Sequence, residues 1–382
     1  MLSGDKYWAK CRRLCRKYGD SDNNKVYGEF PVKEVKIGNS ICRSFYVKDL
    51  VEFLGKKMSE DPNYLLITEG LLSSIPVMET FDMMTVIKDL YEVKRELVSI
   101  GFQDSINYLQ QHIPLRVHSW KSGSRVWSWK VPSGDVDTMW VGEYTVKGFG
   151  DETIILPIHL DHAYMANDNL SGIVVAMKLI DMLQRTVDLK YSYKFLFVPE
   201  TYGTIAYLDR FGIDYKYGIV FDSIGTKGEM VTTLTKTPSV LNLYVSGKTN
   251  EFLSDEHLFS GNDERVLESV NIPSIQISRC PFKEYHTAED TPDIIYEERL
   301  KETLDYIYSI ILRIEMDFIP VPNYIGVPFL SEHGLWEKDV RLEKIWHLIN
   351  GKRTISEIAV LARLPFNFVH QFVRKMEKKG LV

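Results

Sequence analysis

Cysteine is scarce. The 382 residues include four (Cys11, Cys15, Cys42 and Cys280), too few for the disulfide framework of a small secreted domain. Cys11 and Cys15 stand four apart and could share one helix face; they read as ordinary reduced thiols rather than as a redox or metal pair. The opening Met1-Leu2-Ser3-Gly4-Asp5-Lys6 lacks the apolar core of a signal peptide. No run approaches the roughly 18 apolar residues that a membrane helix needs. The expectation is a cytoplasmic protein with no membrane partner. Neither sign of charge dominates: 46 basic and 52 acidic residues leave a net charge of −6, which argues against a chain coated for nucleic acid. Internal repeats and low-complexity tracts are missing as well.

What is present is length and an ordinary globular composition, 45% hydrophobic and 26% charged. That suffices for two or three domains and a large core. Residues 1–75 read as a mixed module of unknown role. It has a basic helix over Tyr7–Tyr18, strands over Phe30–Lys36 and Ser40–Val47 about an Ile37-Gly38-Asn39 turn, and a helix over Val47–Met58. Met83–Ile100 reads as one amphipathic helix closed by Gly101, followed by a second over Ser105–Gln111. Leu115–Val131 alternates as strands, with Trp127 and Trp129 expected in the core.

Strand and helix patterns then alternate. Strands are expected over Val141–Val146, Thr153–Ile158, Ser192–Val198, Tyr217–Phe221, Val231–Leu234, Val240–Val245 and Ser274–Ser278. Helices are expected after Gly172, over Tyr202–Phe211 and over Glu297–Phe318. This alternation predicts a three-layer α/β domain over residues 76–330.

Ile319-Pro320-Val321-Pro322-Asn323 punctuates the chain. In 331–382, three helices are expected, over Arg341–Ile349, from a Thr354-Ile355-Ser356-Glu357 capping pattern, and over Phe366–Lys379. Their spacing matches a helix-turn-helix unit. From Glu337 onward ten basic residues face five acids, so this tail carries about +5 and the remainder about −11. So modest a charge predicts packing on the α/β domain or its partner rather than nucleic-acid binding.

The densest chemistry is His159-Leu160-Asp161-His162-Ala163-Tyr164-Met165-Ala166-Asn167-Asp168-Asn169-Leu170-Ser171-Gly172. It stands between an apolar strand and a helix. Imidazole and carboxylate side chains suit a divalent metal such as zinc, and ligands of open α/β sheets gather beyond the carboxyl ends of strands. Three further groups sit at such ends: Glu200 after Phe195–Val198, Asp222 after Gly218–Phe221, and His286 with Asp290 after the strand around Ile275. A hydrolytic metal site needs about three protein ligands and a carboxylate that is not one of them. Taken singly, each group is more often a cap or a hydrogen-bonding residue; it is the set that points to a metal.

In order, these motifs resemble the co-catalytic zinc aminopeptidases, which include the bacterial leucyl aminopeptidases. The likeness is greater to a bacterial branch carrying a C-terminal winged helix. The residues concerned are Asp161-His162-Ala163, Ala166-Asn167-Asp168-Asn169, Pro199-Glu200-Thr201-Tyr202-Gly203-Thr204-Ile205-Ala206-Tyr207-Leu208, Asp263-Glu264-Arg265 and Glu284-Tyr285-His286-Thr287, within about residues 80–382.

The resemblance implies an α/β, three-layer phosphorylase/hydrolase-like zinc exopeptidase fold with a C-terminal winged helix. It implies one or two zinc ions, Asp168 as bridging ligand, Asp222 and His286 as ligands of separate metals, and Glu200 as general base. Either His159, oriented by Asp161, or His162 supplies the remaining histidine, and Asp290 supports the site from behind. Thr201 stands where family members carry a second, metal-binding acid, which puts a two-metal site in question. The implied activity is a metal-dependent exopeptidase-type hydrolase, first of all an aminopeptidase, acting on a peptide or amide-bearing small substrate. Two rivals stand beside it: a non-catalytic metal-binding or regulatory protein on the same fold, and an amide hydrolase acting on a sugar in surface-polysaccharide synthesis. The sequence leaves monomer and homo-oligomer equally open.

Overall fold

The computed structural model describes residues 33–37, 40–44, 81–186, 188–245, 248–249 and 262–382. The helices expected over Tyr7–Tyr18 and Val47–Met58, and the pair Cys11 and Cys15, lie outside them. The chain divides into two units, residues 1–77 with 182–189, and residues 78–181 with 190–382. In the first, β1 (Lys33–Ile37) pairs antiparallel with β2 (Ser40–Ser44).

The second unit begins with two helices, α1 (Met83–Tyr91) and α2 (Ile100–Gln110), the first ending earlier and the second starting earlier than the expected Met83–Ile100 and Ser105–Gln111. Local capping explains the break. The Ser99 hydroxyl accepts from the Phe102 N–H (3.0 Å) and so starts α2. Gly101 therefore opens a helix rather than closing one. A Cβ there would lie 2.1 Å from the Lys94 carbonyl oxygen, so only glycine lets the two turns approach.

An eight-stranded mixed sheet follows. Its strands are β3 (Arg116–Lys121), β6 (Thr138–Val146), β7 (Thr153–His159), β8 (Ser192–Val198), β9 (Tyr217–Phe221), β10 (Glu229–Thr233), β11 (Lys248–Thr249) and β12 (Ser274–Cys280). The order is β11-β10-β12-β9-β7-β8-β6-β3. At its centre β12, β9, β7 and β8 run parallel, so their carboxyl ends meet at one edge. β4 (Arg125–Val126) and β5 (Trp129–Lys130) make a separate small hairpin. Trp127, in its turn, packs against the core, but Trp129 is 41% exposed and meets Tyr202 edge-on, which corrects its core assignment.

Both faces of the sheet are covered. On one, Ile155, Leu196, Val198 and Val220 pack with Ile205, Ala206 and Leu208 of α4 (Tyr202–Phe211) and Val266 and Leu267 of α6 (Asp263–Ser269). The alternate residues Leu156, Ile158, Phe195, Phe197, Ile219 and Phe221 are equally buried, as expected for parallel strands sandwiched between helices. On that second face Arg279 of β12 donates to Thr303 of α7 (Glu297–Met316) (3.1 Å), and Tyr193 of β8 to Glu315 of α7 (2.6 Å). These layers make a three-layer α/β fold. The helix α3 (Leu170–Arg185) leads from the motif loop towards β8.

One expected strand is a helix, α5 (Leu241–Tyr244). Ser239 Oγ accepts from the Leu241 N–H (3.2 Å), and Asn242 turns back to accept from the Thr235 N–H (3.0 Å). These local bonds compete with strand pairing, and Leu241 and Tyr244 bury one helical face.

Three helices end the unit: α8 (Val340–Leu348), α9 (Ile355–Ala362) and α10 (Phe366–Lys378). α9 starts with a full capping box between Thr354 and Glu357. Their own core gathers Leu342, Ile345, Ile355, Ile358, Val369, Phe372 and Met376. They are tied to the α/β layers through Asp317, which accepts from the Ser356 N–H (3.2 Å) and the Tyr244 hydroxyl (2.8 Å). No strand, and hence no wing, lies among residues 331–382. Among the described residues no helix is long and apolar enough to cross a membrane.

Candidate metal centre

The chain runs from β7 to β8 on one side and later to β9 on the other, so the sheet reverses its order beside β7, where ligands of open α/β sheets bind. The β7–β9 ladder pairs only Ile154 and Ile155 with β9. Pro157, two residues on, has no N–H to extend it. The carboxyl ends of the two strands are thus free to carry chemistry.

His159 ends β7, with Asp161 and His162 in the loop beyond, and Asp168 precedes α3. Glu200 lies between β8 and α4, Asp222 follows β9, and His286 and Asp290 follow β12. The structure brings the first six of these and His286 to one place. His159 Nε2 is 3.3 Å from Asp168 Oδ1 and 3.2 Å from Asp222 Oδ1, and its Nδ1 is 3.6 Å from Asp161 Oδ1. His162 Nδ1 is 3.6 Å from Asp168 Oδ1, and its Nε2 is 3.7 Å from Glu200 Oε2. His286 Nε2 is 3.1 Å from Asp168 Oδ2.

Among the described residues, three sets of side chains have ligand atoms within 4.8 Å of one another: His159, Asp168 and Asp222; His162, Asp168 and His286; and His159, Asp161, His162 and Glu200. Asp290 is not among them. Its two carboxylate oxygens accept from the Asn167 N–H (2.7 Å) and the Asp168 N–H (3.1 Å), so it holds the Asp168 loop from behind.

The rest of the Asn-Asp-Asn-Leu-Ser-Gly run fixes the same loop. Asn167 Oδ1 accepts from the Gly225 N–H (2.7 Å), and Asn169 Nδ2 donates to the Phe221 carbonyl (3.1 Å). Ser171 Oγ donates to the Asn167 carbonyl (2.6 Å) and accepts from the Ile224 N–H (3.1 Å). Gly172 leaves room for the Asn169 amide, which a Cβ would meet at 2.3 Å. The motif thus stitches the α3 entrance to the end of β9 and so brings Asp168 beside Asp222.

Backbone strain concentrates here. His162 (φ +73°), Thr201 (φ +62°), Ser223 (φ +55°) and His286 (φ +54°) all adopt left-handed conformations, costly for residues other than glycine and most of all for a β-branched one. Each lies at or next to one of the converging side chains.

The residues fit a divalent cation. The set offers imidazole and carboxylate donors, as zinc prefers. Asp168 Oδ2 is buried and accepts no well-aligned hydrogen bond, its neighbour at 3.1 Å being the His286 imidazole, itself a metal-ligand type; a cation would satisfy that deficit.

Electrostatics sort the carboxylates. Burial alone would raise Asp168 and Asp161, but their imidazole neighbours outweigh it and hold both below the usual carboxylate range. Burial disfavours a charged His159, yet Asp161, Asp222 and Asp168 push it well above an ordinary histidine. Glu200 behaves oppositely: burial pushes it up to about 7, with Asp161 and Asp263 adding to the shift and His159 opposing it.

Two residues escaped the sequence reading. Arg95 is fully buried, and its guanidinium donates to the carbonyls of Leu160 (3.0 Å), His162 (2.8 Å) and Met165 (2.9 Å), as well as to those of Leu90 and Val93. A lone arginine after a helical pattern carries no signal of that role. Asp263 is fully buried, accepts from the Thr201 N–H (3.0 Å) and is pushed by burial up to about 6. It belongs to the Asp-Glu-Arg motif, which was visible without an assigned role.

Comparison with known proteins agrees with the architecture. A Clostridium acetobutylicum protein described as a polysaccharide biosynthesis protein with aminopeptidase-like domain is 26% identical over 252 residues, 59% of this chain. The chain spans 57% of that relative's length. A crystal structure described as a peptidase from Clostridium acetobutylicum shares the fold, with a TM-score of 0.69 and 20% identity over 78% of this chain and 95% of the other. An aminopeptidase from Aneurinibacillus sp. strain AM-1 aligns with a TM-score of 0.49 and 14% identity over 62% of this chain and 95% of its own. Residues 84–317, more than half of the chain, match the model of the family described as a domain of unknown function, DUF4910, and the chain belongs to that family.

Proposed function

We propose that this protein is a metal-dependent hydrolase of exopeptidase type, with an aminopeptidase as the first reading and zinc as the metal. The observation that carries the reading is the contrast between His159, Asp168 and Asp222, buried and within 4.8 Å of one another, and Glu200, which is absent from that group. His159, Asp168 and Asp222 would hold an ion; His162, Asp168 and His286 offer a second set. A divalent ion there would supply Lewis acidity, polarising a scissile carbonyl and lowering the pKa of water.

The chain's own residues do the rest. Asp161 accepts from the Glu200 N–H (2.8 Å) and also faces His159 Nδ1, so it registers the end of β8 against the end of β7. A carboxyl group pushed up to about 7 is matched to taking a proton from water and returning it to a leaving amine near neutrality. Glu200 is therefore the base and acid, and Asp161 and Asp290 position the groups around it.

A second reading, amide hydrolysis on a sugar in surface-polysaccharide synthesis, is favoured by the description of the Clostridium acetobutylicum relative. The substrate class is in either case a small amide, in the cytoplasm. The C-terminal helices, in this reading a winged helix reduced to its helical part, pack on the hydrolase rather than read nucleic acid. The rival without catalysis keeps the fold and a metal.

The deciding experiment is Glu200→Gln. It is expected to retain its metal while losing hydrolysis of aminoacyl, dipeptide or N-acyl sugar substrates by at least the roughly 10²-fold typical of a lost general base. Loss of the metal would make Glu200 a ligand. A metal-loaded wild type that hydrolyses none of these substrates would favour the regulatory rival.

A further inference from the structure

The hairpin of β4 and β5 presents an indole that the core does not use. Val126 and Val131 are buried and Trp127 packs half-buried beside them, so the turn is anchored without Trp129. That indole stays 41% exposed, between the exposed Ser128 and Lys130. The turn itself is fixed: the Gly123 N–H donates to the Val131 carbonyl (2.8 Å), and the Val131 N–H to the Ser124 carbonyl (2.9 Å). The Trp127 N–H donates to Asp209 of α4 (3.3 Å). The Trp129 ring stands 5.0 Å from that of Tyr202 with the planes 83° apart, so the two make a right-angled aromatic corner.

This corner lies at the edge of the sheet where Glu200 stands. Tyr202 opens α4 two residues after Glu200, and its N–H donates to the Glu200 carbonyl. The connector between α1 and α2 holds the hairpin side and the metal side together. The Val98 carbonyl accepts from the Asp135 N–H (3.1 Å), and Asp135 Oδ1 accepts from the Ile100 N–H (3.0 Å). A Cβ on Gly134 would meet the Val98 carbonyl oxygen at 1.7 Å, so the contact is as close as backbones allow. Three residues before Val98, Arg95 holds the carbonyls of Leu160, His162 and Met165. The aromatic corner and the His162 loop are thus fixed to one brace.

In hydrolysis of an amide the oxygen of water joins the acyl carbon, the carbon–nitrogen bond breaks, and the proton carried by Glu200 goes to the leaving nitrogen. The group on that nitrogen is the part of the substrate nearest Glu200, and Tyr202 with Trp129 are walls beside it. Aromatic faces are electron-rich and attract the C–H face of a ring. Ser128 and Lys130 add a hydroxyl and an ammonium next to the indole. An open corner of this mixture suits a ring with one apolar face and a hydroxylated rim, whereas a wholly apolar side chain is better served by a closed pocket.

Resting on the function proposed above, we infer that Trp129 and Tyr202 form the subsite for the leaving amine, and that this amine is an amino sugar whose pyranose ring stacks on the indole. Trp129 is then a specificity residue, and it favours the sugar amide over the peptide as substrate.

The test uses the zinc-loaded full chain. N-acetylglucosamine is compared with N-acetylethanolamine, and Gly-Phe with Gly-Gly; free glucosamine serves as a calorimetric binding probe. Wild type is expected to prefer N-acetylglucosamine to its acyclic counterpart by about tenfold in kcat/KM, the scale of one stacking contact. Trp129→Ala is expected to lose most of that preference through a rise in KM and to bind glucosamine about tenfold more weakly. Trp129→Phe should restore part of both, with zinc content and circular dichroism unchanged in either variant. A wild type that binds no glucosamine, or a Trp129→Ala protein with unaltered preference and affinity, would overturn the subsite while the hydrolase reading stands on its own substrates. A preference for Gly-Phe over Gly-Gly that Trp129→Ala abolishes, with none between the acetylated amines, would replace the sugar by an aromatic side chain. A wild type that hydrolyses nothing yet binds glucosamine through Trp129 would keep the subsite and remove the hydrolase reading beneath it.

Discussion

His159 and His162 are three residues apart, yet their surroundings share little. His159 ends a central parallel strand, is sealed by the sheet, and has three carboxylates within 3.6 Å. His162 stands on a loop with a left-handed backbone, at the rim, and faces the one carboxyl group that burial pushes up to about 7. The sheet dictates the first environment, because a strand end surrounded by parallel neighbours has its place before any loop is built. Loop closure dictates the second, through the guanidinium of Arg95. A buried, carboxylate-rich half suits permanent holding of a cation; a half open to solvent suits admission and release of substrate. The difference teaches that one short motif can place one imidazole by strand geometry and the next by loop closure.

Asp168→Asn is the change with the largest expected effect, because it breaks both halves at once. The variant keeps the size of the side chain but loses the charge shared by His159, His162 and His286. Metal held at either set that includes Asp168 should disappear from elemental analysis. Hydrolysis should fall by more than the roughly 10²–10⁴-fold expected for loss of a general base alone. Retention of one full ion would mean that the halves do not share this carboxylate.

Arg95→Met sharpens the comparison, since it frees the loop of His162, together with the Leu90 and Val93 carbonyls near the end of α1. It leaves the carbonyls of Leu160, His162 and Met165 without their donor in a buried setting. Unsatisfied buried acceptors cost about 1–3 kcal/mol apiece before relaxation, so a net loss of about 2–4 kcal/mol in urea unfolding is expected. Metal binding that depends on His162 should weaken more than binding that depends on His159, which the strand holds. Arg95→Lys, which restores charge and fewer donors, should recover part of both effects. Equal weakening of the two would show that the arginine serves the fold as a whole.

The sequence was most legible where one period prevailed over many residues. Ser192–Val198, Tyr202–Phe211 and Tyr217–Phe221 lie where apolar runs and helical spacing predict them, and the Thr354–Glu357 capping box starts its helix as expected. It was least legible where a side chain overrode the pattern. Ser239 and Asn242 turn an apolar run into a helix, and Ser99 starts the second N-terminal helix at Ile100, where the first was expected to end. The converging groups could be named because each follows a strand and has ligand chemistry. Their sorting could not, since which oxygen of Asp168 each imidazole meets is a property of three-dimensional closure. Arg95 was invisible for the same reason: three of its partners are carbonyls 65 to 70 residues away.

The smallest effect, and the one that separates Asp161 from Glu200, is a dependence on pH. Asp161 stays ionised because its histidine neighbours outweigh its burial, whereas burial pushes Glu200 up to about 7 against about 4.3 for a free glutamate. A base must be deprotonated, so kcat/KM of the metal-loaded enzyme should fall about tenfold per pH unit on an acid limb that the cation sets below the metal-free value of about 7. An acid limb that persists unchanged in the residual activity of Glu200→Gln would remove Glu200 from that role. The same shift bears on stability in the chelated protein. Between the unfolded and folded values the folded chain binds the extra proton, so the contribution of Glu200 is present at low pH and is lost as pH rises through about 7. Glu200→Gln, which cannot ionise, escapes that loss. Its melting temperature relative to wild type should therefore rise between about pH 5 and about pH 8, and an unchanged difference would mean that the carboxyl group is not held in its protonated form by the fold.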